Sequence, residues 1–293
     1  MTLSPPAAPR TREPPAERVR RRLVAAAGVD VARQMPDGYH RLGRVLVIQL
    51  PALLAPYEEL LGAAWQTELG VETVLVKAGP IEGELRTPRL RRISGDGTET
   101  EVVEYGVRWR FDAARIMFAA GNRTERRRMA RLVRPGETVV DLFAGIGYFS
   151  IPAALPGRAE KVWAVEKNPL SVRYLRENAV LNSVADRLVI VPGDNRTVDL
   201  AVGSFDRAVL GYLPSALPWV PRAVELLRPG GGWVHVHMVL DARAPLADAA
   251  SAVESAAGTA GARATEASRV RVVKPYGPGR NHVVVDARFA RPR

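Results

Sequence analysis

The 293-residue chain contains no cysteine. That excludes disulfides, thiolate nucleophiles and cysteine-held zinc or iron–sulfur centres. Histidine is scarce too, at four residues, and no cluster of His and carboxylate residues has metal-ligand spacing, so no metal site is expected. No apolar run approaches the roughly 20 residues of a membrane span. The N-terminus is rich in Pro and Arg without the apolar stretch of a secretory signal, so a cytoplasmic enzyme is expected. Acidic residues are also in short supply: 31 Asp and Glu face 42 Lys and Arg, for a net charge of +11. Such a chain is drawn to phosphate polyanions, nucleic acid first among them. The abundant Ala, Gly and Pro point to a GC-rich coding background, so the arginine count by itself carries little.

Nearly half of the residues are apolar, enough for a sizeable core. Residues 1–22 read as a disordered Pro/Arg-rich tail, with a basic cluster from Arg18 to Arg22. Residues 23–120 read as a small α+β domain available for tRNA or acceptor contact. Its expected elements are a strand over 40–50, a helix after Pro51, strands at 71–76 and 81–86, and a strand pair around Tyr105-Gly106. Residues 121–293 read as the catalytic domain. It opens on an arginine-ringed helix (123–134), and strands and helices then alternate from 137 to 258. Two strands flanking Pro275-Tyr-Gly-Pro-Gly279 close it as an antiparallel hairpin. Alternation of this kind implies a mainly parallel sheet with helices on both faces.

The chemistry gathers around Val139-Val-Asp-Leu-Phe-Ala-Gly-Ile-Gly-Tyr-Phe-Ser150. A buried strand runs into a glycine turn, where Gly145 and Gly147 let the backbone approach a ligand, and then into a helix. Ser150 stands where a dinucleotide fingerprint would have its third glycine. Asp141 closes the first strand, Glu166 the second, and Asp194-Asn195 follows the third. Glu166 is placed to accept both hydroxyls of a ribose, and Asp194 with Asn195 to meet an adenine edge. Three acids on successive strand ends suit a ligand with a ribose, an adenine and a cationic arm but no phosphate. S-adenosylmethionine has those parts.

Several segments match one family in order: Gly83-Glu-Leu-Arg86, Met117-Phe-Ala-Ala-Gly-Asn122, Glu125-Arg126, Asp141 to Phe149 and Glu166-Lys-Asn-Pro169. Gly193-Asp-Asn-Arg196, Leu210-Gly-Tyr-Leu-Pro-Ser215, Gly231-Gly-Trp-Val-His-Val-His237 and His282-Val-Val-Val-Asp286 continue the series. Over about 40–290 the chain resembles the enzymes that modify guanosine at tRNA position 37 in archaea and eukaryotes. That superfamily holds an N1-methyltransferase branch and the aminocarboxypropyl transferase branch of the wybutosine pathway. The resemblance implies a class I S-adenosylmethionine-dependent methyltransferase (Rossmann-like) fold with tRNA as partner. The methyltransferase branch carries an asparagine where this chain has Tyr212, and Ser-Pro-Arg where it has Ala119-Ala-Gly-Asn122. Both departures match the aminocarboxypropyl branch. N1-methylation, or transfer to a small metabolite, are the alternatives.

The resemblance also implies roles. Asp141, Phe143, Gly145 and Gly147 would line the amino-acid and ribose side of S-adenosylmethionine. Asn122 and Arg126 would hold the carboxylate of its amino-acid arm. Glu125 matches the general base of the methyltransferases, or else orients the acceptor or pairs with Arg126. Arg86 matches an arginine near the acceptor, or contacts phosphate. Tyr212 stacks on a flat acceptor or closes the pocket. His235 and His237 share one strand face and are expected as a buried, hydrogen-bonded pair.

Overall fold

The computed structural model describes residues 13–290, which divide into two compact units. One runs through Glu101 and includes Asp112–Met117; the other comprises Val102–Phe111 and Phe118 onward. The division falls earlier than the expected boundary at 120, because residues 102–111 and 118–120 pack with the catalytic part.

In the first unit, helices α1 (Pro15–Ala27) and α2 (Val29–Ala32) precede strands β1 (Tyr39–Leu42) and β2 (Val45–Ile48). A 3-10 turn then leads into α3 (Glu58–Leu69), followed by β3 (Thr73–Lys77) and β4 (Leu90–Ser94). The four strands form one sheet in the order β1-β2-β3-β4, with β2 parallel to β3 and the other pairs antiparallel. The single strand expected over 40–50 is therefore a tight hairpin, turning at Gly43 with φ 57°.

The tail expected over 1–22 is corrected here from residue 15 onward; its first twelve residues lie outside the described ones. Pro15 sits in the first turn of α1, where a missing N–H costs nothing. Ala16, Val19 and Leu23 recur at helical spacing and are buried in a core with Trp65, Leu61 and Val74. The arginines occupy the other faces, and Arg18 pairs with Glu68 at 2.5 Å. Helical periodicity outweighed a composition that reads as tail. The strand expected over 81–86 is corrected as well. That stretch is a turn bridged between Glu82 and Thr87, with Gly83 and Arg86 both at positive φ. The partner of β3 is β4, an arginine-rich strand that lacks the apolar signature of a buried one.

The second unit continues with β5 (Glu99–Glu104) and β6 (Val107–Asp112), a two-stranded sheet that straddles the division of the chain. Next come α4 (Arg123–Leu132), β7 (Thr138–Asp141), α5 (Ser150–Ala154), β8 (Lys161–Glu166), α6 (Pro169–Leu181) and β9 (Leu188–Pro192). After these lie β10 (Arg207–Leu210), α7 (Val220–Leu226), β11 (Gly232–Asp241), α8 (Leu246–Gly258), β12 (Arg263–Ala264), β13 (Arg269–Gly277) and β14 (Arg280–Ala290). The large sheet runs β12-β14-β11-β10-β7-β8-β9, with β13 also on β14. The five strands from β9 to β11 are parallel, and β14 enters antiparallel between β11 and β13. This is the expected mainly parallel sheet with a terminal antiparallel hairpin. The strand order reverses between β7 and β10, the switch point where such sheets open a crevice. Beneath it, Val140, Leu210, Val236 and Phe289 are buried in one core. Asn168 caps α6, its side chain accepting from Leu170 N at 3.0 Å, with Pro169 following at the first helical position.

Leu23 is fully buried, so Leu23→Ala is expected to cost about 2–5 kcal/mol. Urea unfolding monitored by tryptophan fluorescence would read this; a midpoint unchanged from wild type would mean that α1 does not belong to the core.

Candidate active site

The strand β7, buried from Val139 to Asp141, ends at the switch point. There the chain turns through Gly145 (φ 58°) and Gly147 (φ 107°). A Cβ on Gly145 would lie 2.9 Å from the Tyr148 ring, and one on Gly147 would lie 2.4 Å from Ile151 Cδ1. The turn is thus closed to side chains. It faces a carboxylate: Glu166, at the tip of β8, accepts from Gly145 N and from Asn168 N, each at 2.7 Å. Burial raises the Glu166 carboxyl above its ordinary value, opposed by those amide bonds.

Asp141 is engaged by the protein itself. Its carboxyl is completely buried. One oxygen accepts from the Ser150 hydroxyl at 2.7 Å and the other from Phe143 N at 3.1 Å. It therefore clamps the start of α5 to the end of β7, which holds the glycine turn in shape. Ser150, first read only as a missing glycine, is the other half of that clamp. Asn195 is also a brace, donating to the Leu142 carbonyl at 2.6 Å. Asp194 is more open and is held by Arg196, with Lys167 Nζ 3.5 Å away. The Arg196 guanidinium holds its carboxyl well below the usual carboxylate range.

Phe143, on the loop that leads into the glycine turn, belongs to an aromatic wall. Phe143 stacks on Tyr212 at 5.1 Å, and Trp219 meets both rings edge-on at 5.0 and 5.4 Å. The loop carrying Tyr212 is tied to β11, with Ala216 N donating to His237 O and Val239 N to Pro214 O. Gly211 has no room for a Cβ, which would lie 2.8 Å from the Phe149 ring.

Glu125 and Arg126 are adjacent, yet each is consumed by a different partner. Arg126 is buried between the rings of Trp109, Phe118 and Tyr148. It donates to Glu104 through Nε (3.1 Å) and Nη2 (2.5 Å), and to the Ala119 carbonyl. Three of its five N–H donors are thus engaged by the protein. Glu125 is bound at both oxygens by Arg128, at 2.8 and 2.6 Å, rather than by Arg126. Arg128 also grips Asp286 at 2.7 and 3.1 Å. Asp286 accepts from His235 Nδ1 at 2.6 Å, and His235 Nε2 faces Arg207 Nη1 at 2.5 Å. Arg207 in turn binds Glu137. Because Arg207 can only donate, His235 must accept at Nε2 and carry its single proton on Nδ1. Burial lowers the His235 pKa, in keeping with that neutral ring.

The two histidines of β11 do not pair with each other. His237 Nδ1 lies 2.8 Å from His282 Nε2, and the opposite ring nitrogens of both have no partner. Burial and nearby Lys274 hold His282 down to about 4. Lys274 itself is missing from the sequence-based expectations. Its Nζ lies 3.0 Å from where a Cβ on Gly121 would be, next to Asn122, whose buried Oδ1 is also unpartnered. Burial lowers its pKa. Its spacing from Asn122 in sequence, across the whole domain, left no signal to find it. Arg86 belongs to the first unit and sits in the left-handed turn already described. Among the described residues no group of three or more His or carboxylate residues converges on a metal position, and no helix is long and apolar enough to cross a membrane.

The sheet order, the glycine turn and the acid at the second strand tip define a class I S-adenosylmethionine-dependent methyltransferase fold. Residues 100–264 match the TRM5/TYW2 methyltransferase domain, residues 19–98 match the TYW2 N-terminal domain, and the chain belongs to that family. It is 34% identical over 271 residues to the tRNA(Phe) (4-demethylwyosine(37)-C(7)) aminocarboxypropyltransferase of Pyrococcus horikoshii. That match covers 92% of this chain and 96% of the relative. The crystal structure of P. horikoshii TYW2 in complex with MeSAdo superposes with a TM-score of 0.83 at 31% identity, covering 94% of this chain and all of that one. That of M. jannaschii TYW2 in complex with AdoMet gives 0.71 at 30%, covering 87% and 100%.

Burial raises the Asp141 pKa from 3.8 to about 6, against the pull of Ser150 and Phe143. The folded state therefore holds this proton more tightly than the unfolded chain does. Stability from this group falls as pH rises from about 4 to about 6, by about 3 kcal/mol across the window. Asp141→Asn is expected to remove that fall. The gap between wild-type and variant unfolding free energies should change across the window; two parallel curves would place the proton elsewhere.

Proposed function

We propose that this protein transfers the 3-amino-3-carboxypropyl group of S-adenosylmethionine to C7 of 4-demethylwyosine at position 37 of tRNA(Phe), in the cytoplasm. The observation that carries the reading is the crevice itself. A carboxylate, Glu166, binds the glycine turn at Gly145 N, and Phe143, two residues before Gly145, carries the turn into the Tyr212–Trp219 cluster. A carboxylate there repels a phosphate and suits a ribose. The relatives named above support the choice of donor and acceptor.

When bound, S-adenosylmethionine would supply an amino-acid arm whose γ-carbon, next to the sulfonium, is open to attack by the acceptor carbon; the electron pair of the broken carbon–sulfur bond would leave with methylthioadenosine, and the acceptor carbon would give up its proton. The chain's own contribution is placement. Glu166 holds the ribose diol, and Asp194 with Asn195 lies beside the adenine. Gly145 and Gly147 let the backbone close on the ligand, and Phe143 flanks it. Tyr212, in the aromatic wall, offers a flat face to the acceptor base and excludes water. Asn122 presents its free Oδ1 to the ammonium of the amino-acid arm. Lys274, beside it, takes the carboxylate in place of Arg126, which keeps its pair with Glu104. Glu125 acts as a brace through Arg128 rather than as a base, and Arg86 contacts tRNA phosphate.

Two measurements test this. With donor labelled separately in the methyl and carboxyl carbons, carboxyl label should enter tRNA carrying the precursor base; methyl label in the RNA would overturn the transfer proposed. Lys274→Ala is expected to raise KM for S-adenosylmethionine about tenfold, the loss of one charge-assisted bond, with the fold retained by circular dichroism. Unchanged KM would return the carboxylate to another group.

A further inference from the structure

A second concave site lies in the catalytic unit, apart from the crevice. Its volume is about 230 Å³, and its lining includes Tyr105, Arg123, Arg126, Arg127, Arg131 and Arg158. Arg123, Arg127 and Arg131 follow one another at four-residue spacing on α4, so they share one exposed face. Like charges at that spacing destabilise a helix. Several other arginines of this chain are neutralised by acids, as in Arg18–Glu68, Arg91–Glu58 and Arg228–Asp206. Here the lining contains one carboxylate, Glu104, and the buried Arg126 already occupies it. The other four arginines have no acid partner among the described residues.

The rim of this site is as unusual as its charge. Tyr105 and Gly106 form the two-residue loop between β5 and β6, both at positive φ (51° and 83°). Such a loop favours Asn, Asp or Gly, and a tyrosine there is held in a left-handed conformation that L side chains rarely adopt. The ring is not hidden in a core: it is 48% exposed. Arg127 lies over it at 4.5 Å and Arg123 at 5.7 Å. The hairpin is firmly anchored, since Asn178 and Asn182 of α6 bind the backbone of Arg110 and Arg108 on β6. A strained, solvent-facing aromatic ring on a rigid turn, bracketed by unneutralised guanidinium groups, is suited to a nucleotide unit of single-stranded or looped RNA.

We propose that this pocket is an RNA-docking site separate from the reaction crevice. It seats one backbone phosphate of the tRNA among Arg123, Arg127, Arg131 and Arg158 and packs the adjoining nucleoside on Tyr105. The proposal rests on tRNA being the substrate and adds where, outside the crevice, the RNA is gripped. Both Arg127 and Tyr105 are exposed, so the full-length Arg127→Ala and Tyr105→Ala variants can be compared with wild type for tRNA affinity over a salt series. Arg127→Ala should weaken binding about tenfold and lower the slope of log K against log salt by about 1. Tyr105→Ala should weaken it about tenfold with the slope unchanged, as expected for lost stacking. S-adenosylmethionine affinity, measured by calorimetry, should stay at the wild-type value in both. If wild type transfers to tRNA and both variants bind it as wild type does, the docking site is overturned while the function stands. If wild type neither binds nor modifies tRNA, the function falls and takes this proposal with it. Thermal stabilisation by inorganic phosphate that Arg127→Ala abolishes, with tRNA affinity untouched, would instead make this a free-anion pocket and overturn the RNA assignment.

Discussion

A buried chain of charges holds the catalytic unit in register. It passes from Glu125 through Arg128, Asp286, His235 and Arg207 to Glu137, and so links α4, β14, β11, β10 and the approach to β7. Burial alone would raise Asp286, but the hydrogen bonds from His235 and Arg128 outweigh it and keep the carboxyl well below its ordinary range. Burial would likewise discharge Arg128, yet its two acids keep it firmly protonated. Removing one member of such a chain leaves its neighbour buried without compensation, a loss of about 3–5 kcal/mol. The register of β14 between β11 and β13 therefore depends on charge placement as much as on the valines between His282 and Asp286. That register also decides where His282 and Lys274 lie relative to Asn122.

This network explains why neighbours in sequence part company in the structure. Glu125 and Arg126 differ by one residue, about 100° around a helix, so they face different surroundings. Glu125 turns towards the strand-borne charges, and Arg126 turns into the aromatic cage with Glu104. Their adjacency made an ion pair between them a natural expectation, but side chains one position apart on a helix do not meet. The same rotation leaves Arg123 and Arg127 pointing outward over Tyr105.

The parallel sheet, the glycine turn and the strand-end acids were legible because each leaves a local trace: an apolar run, paired glycines, a carboxylate after a strand. The aromatic wall was half legible. Tyr212 stood out by its departure from asparagine, while its stacking on Phe143 is a tertiary fact. Asp141 was legible as important and opaque as to role, since a carboxylate at a strand end can face a ligand or clamp a helix. Helix α1 was obscured by proline and arginine, although Ala16, Val19 and Leu23 already had helical spacing. Lys274 and Glu104 could not be read at all, because each acquires its meaning from a partner far away in the chain.

A sulfonium offers three carbons to a nucleophile, and no side chain in the crevice has to change its chemistry for one to be chosen over another. The choice follows from which carbon is held in line, and so from where the amino-acid arm is anchored. With Arg126 paired to Glu104, Lys274 is a cation lying against Gly121, the neighbour of Asn122, and it is carried on a strand that is positioned through β14. In the proposed reaction, anchoring the arm from that side would fix the direction in which its γ-carbon faces, while the Tyr212 wall would fix the plane of the incoming base. On the proposed function, selectivity of transfer would follow from sheet register and loop anchorage. Substitutions that shift β13 or the Tyr212 loop would alter which group moves more readily than substitutions at the glycine turn, which govern only whether the donor binds.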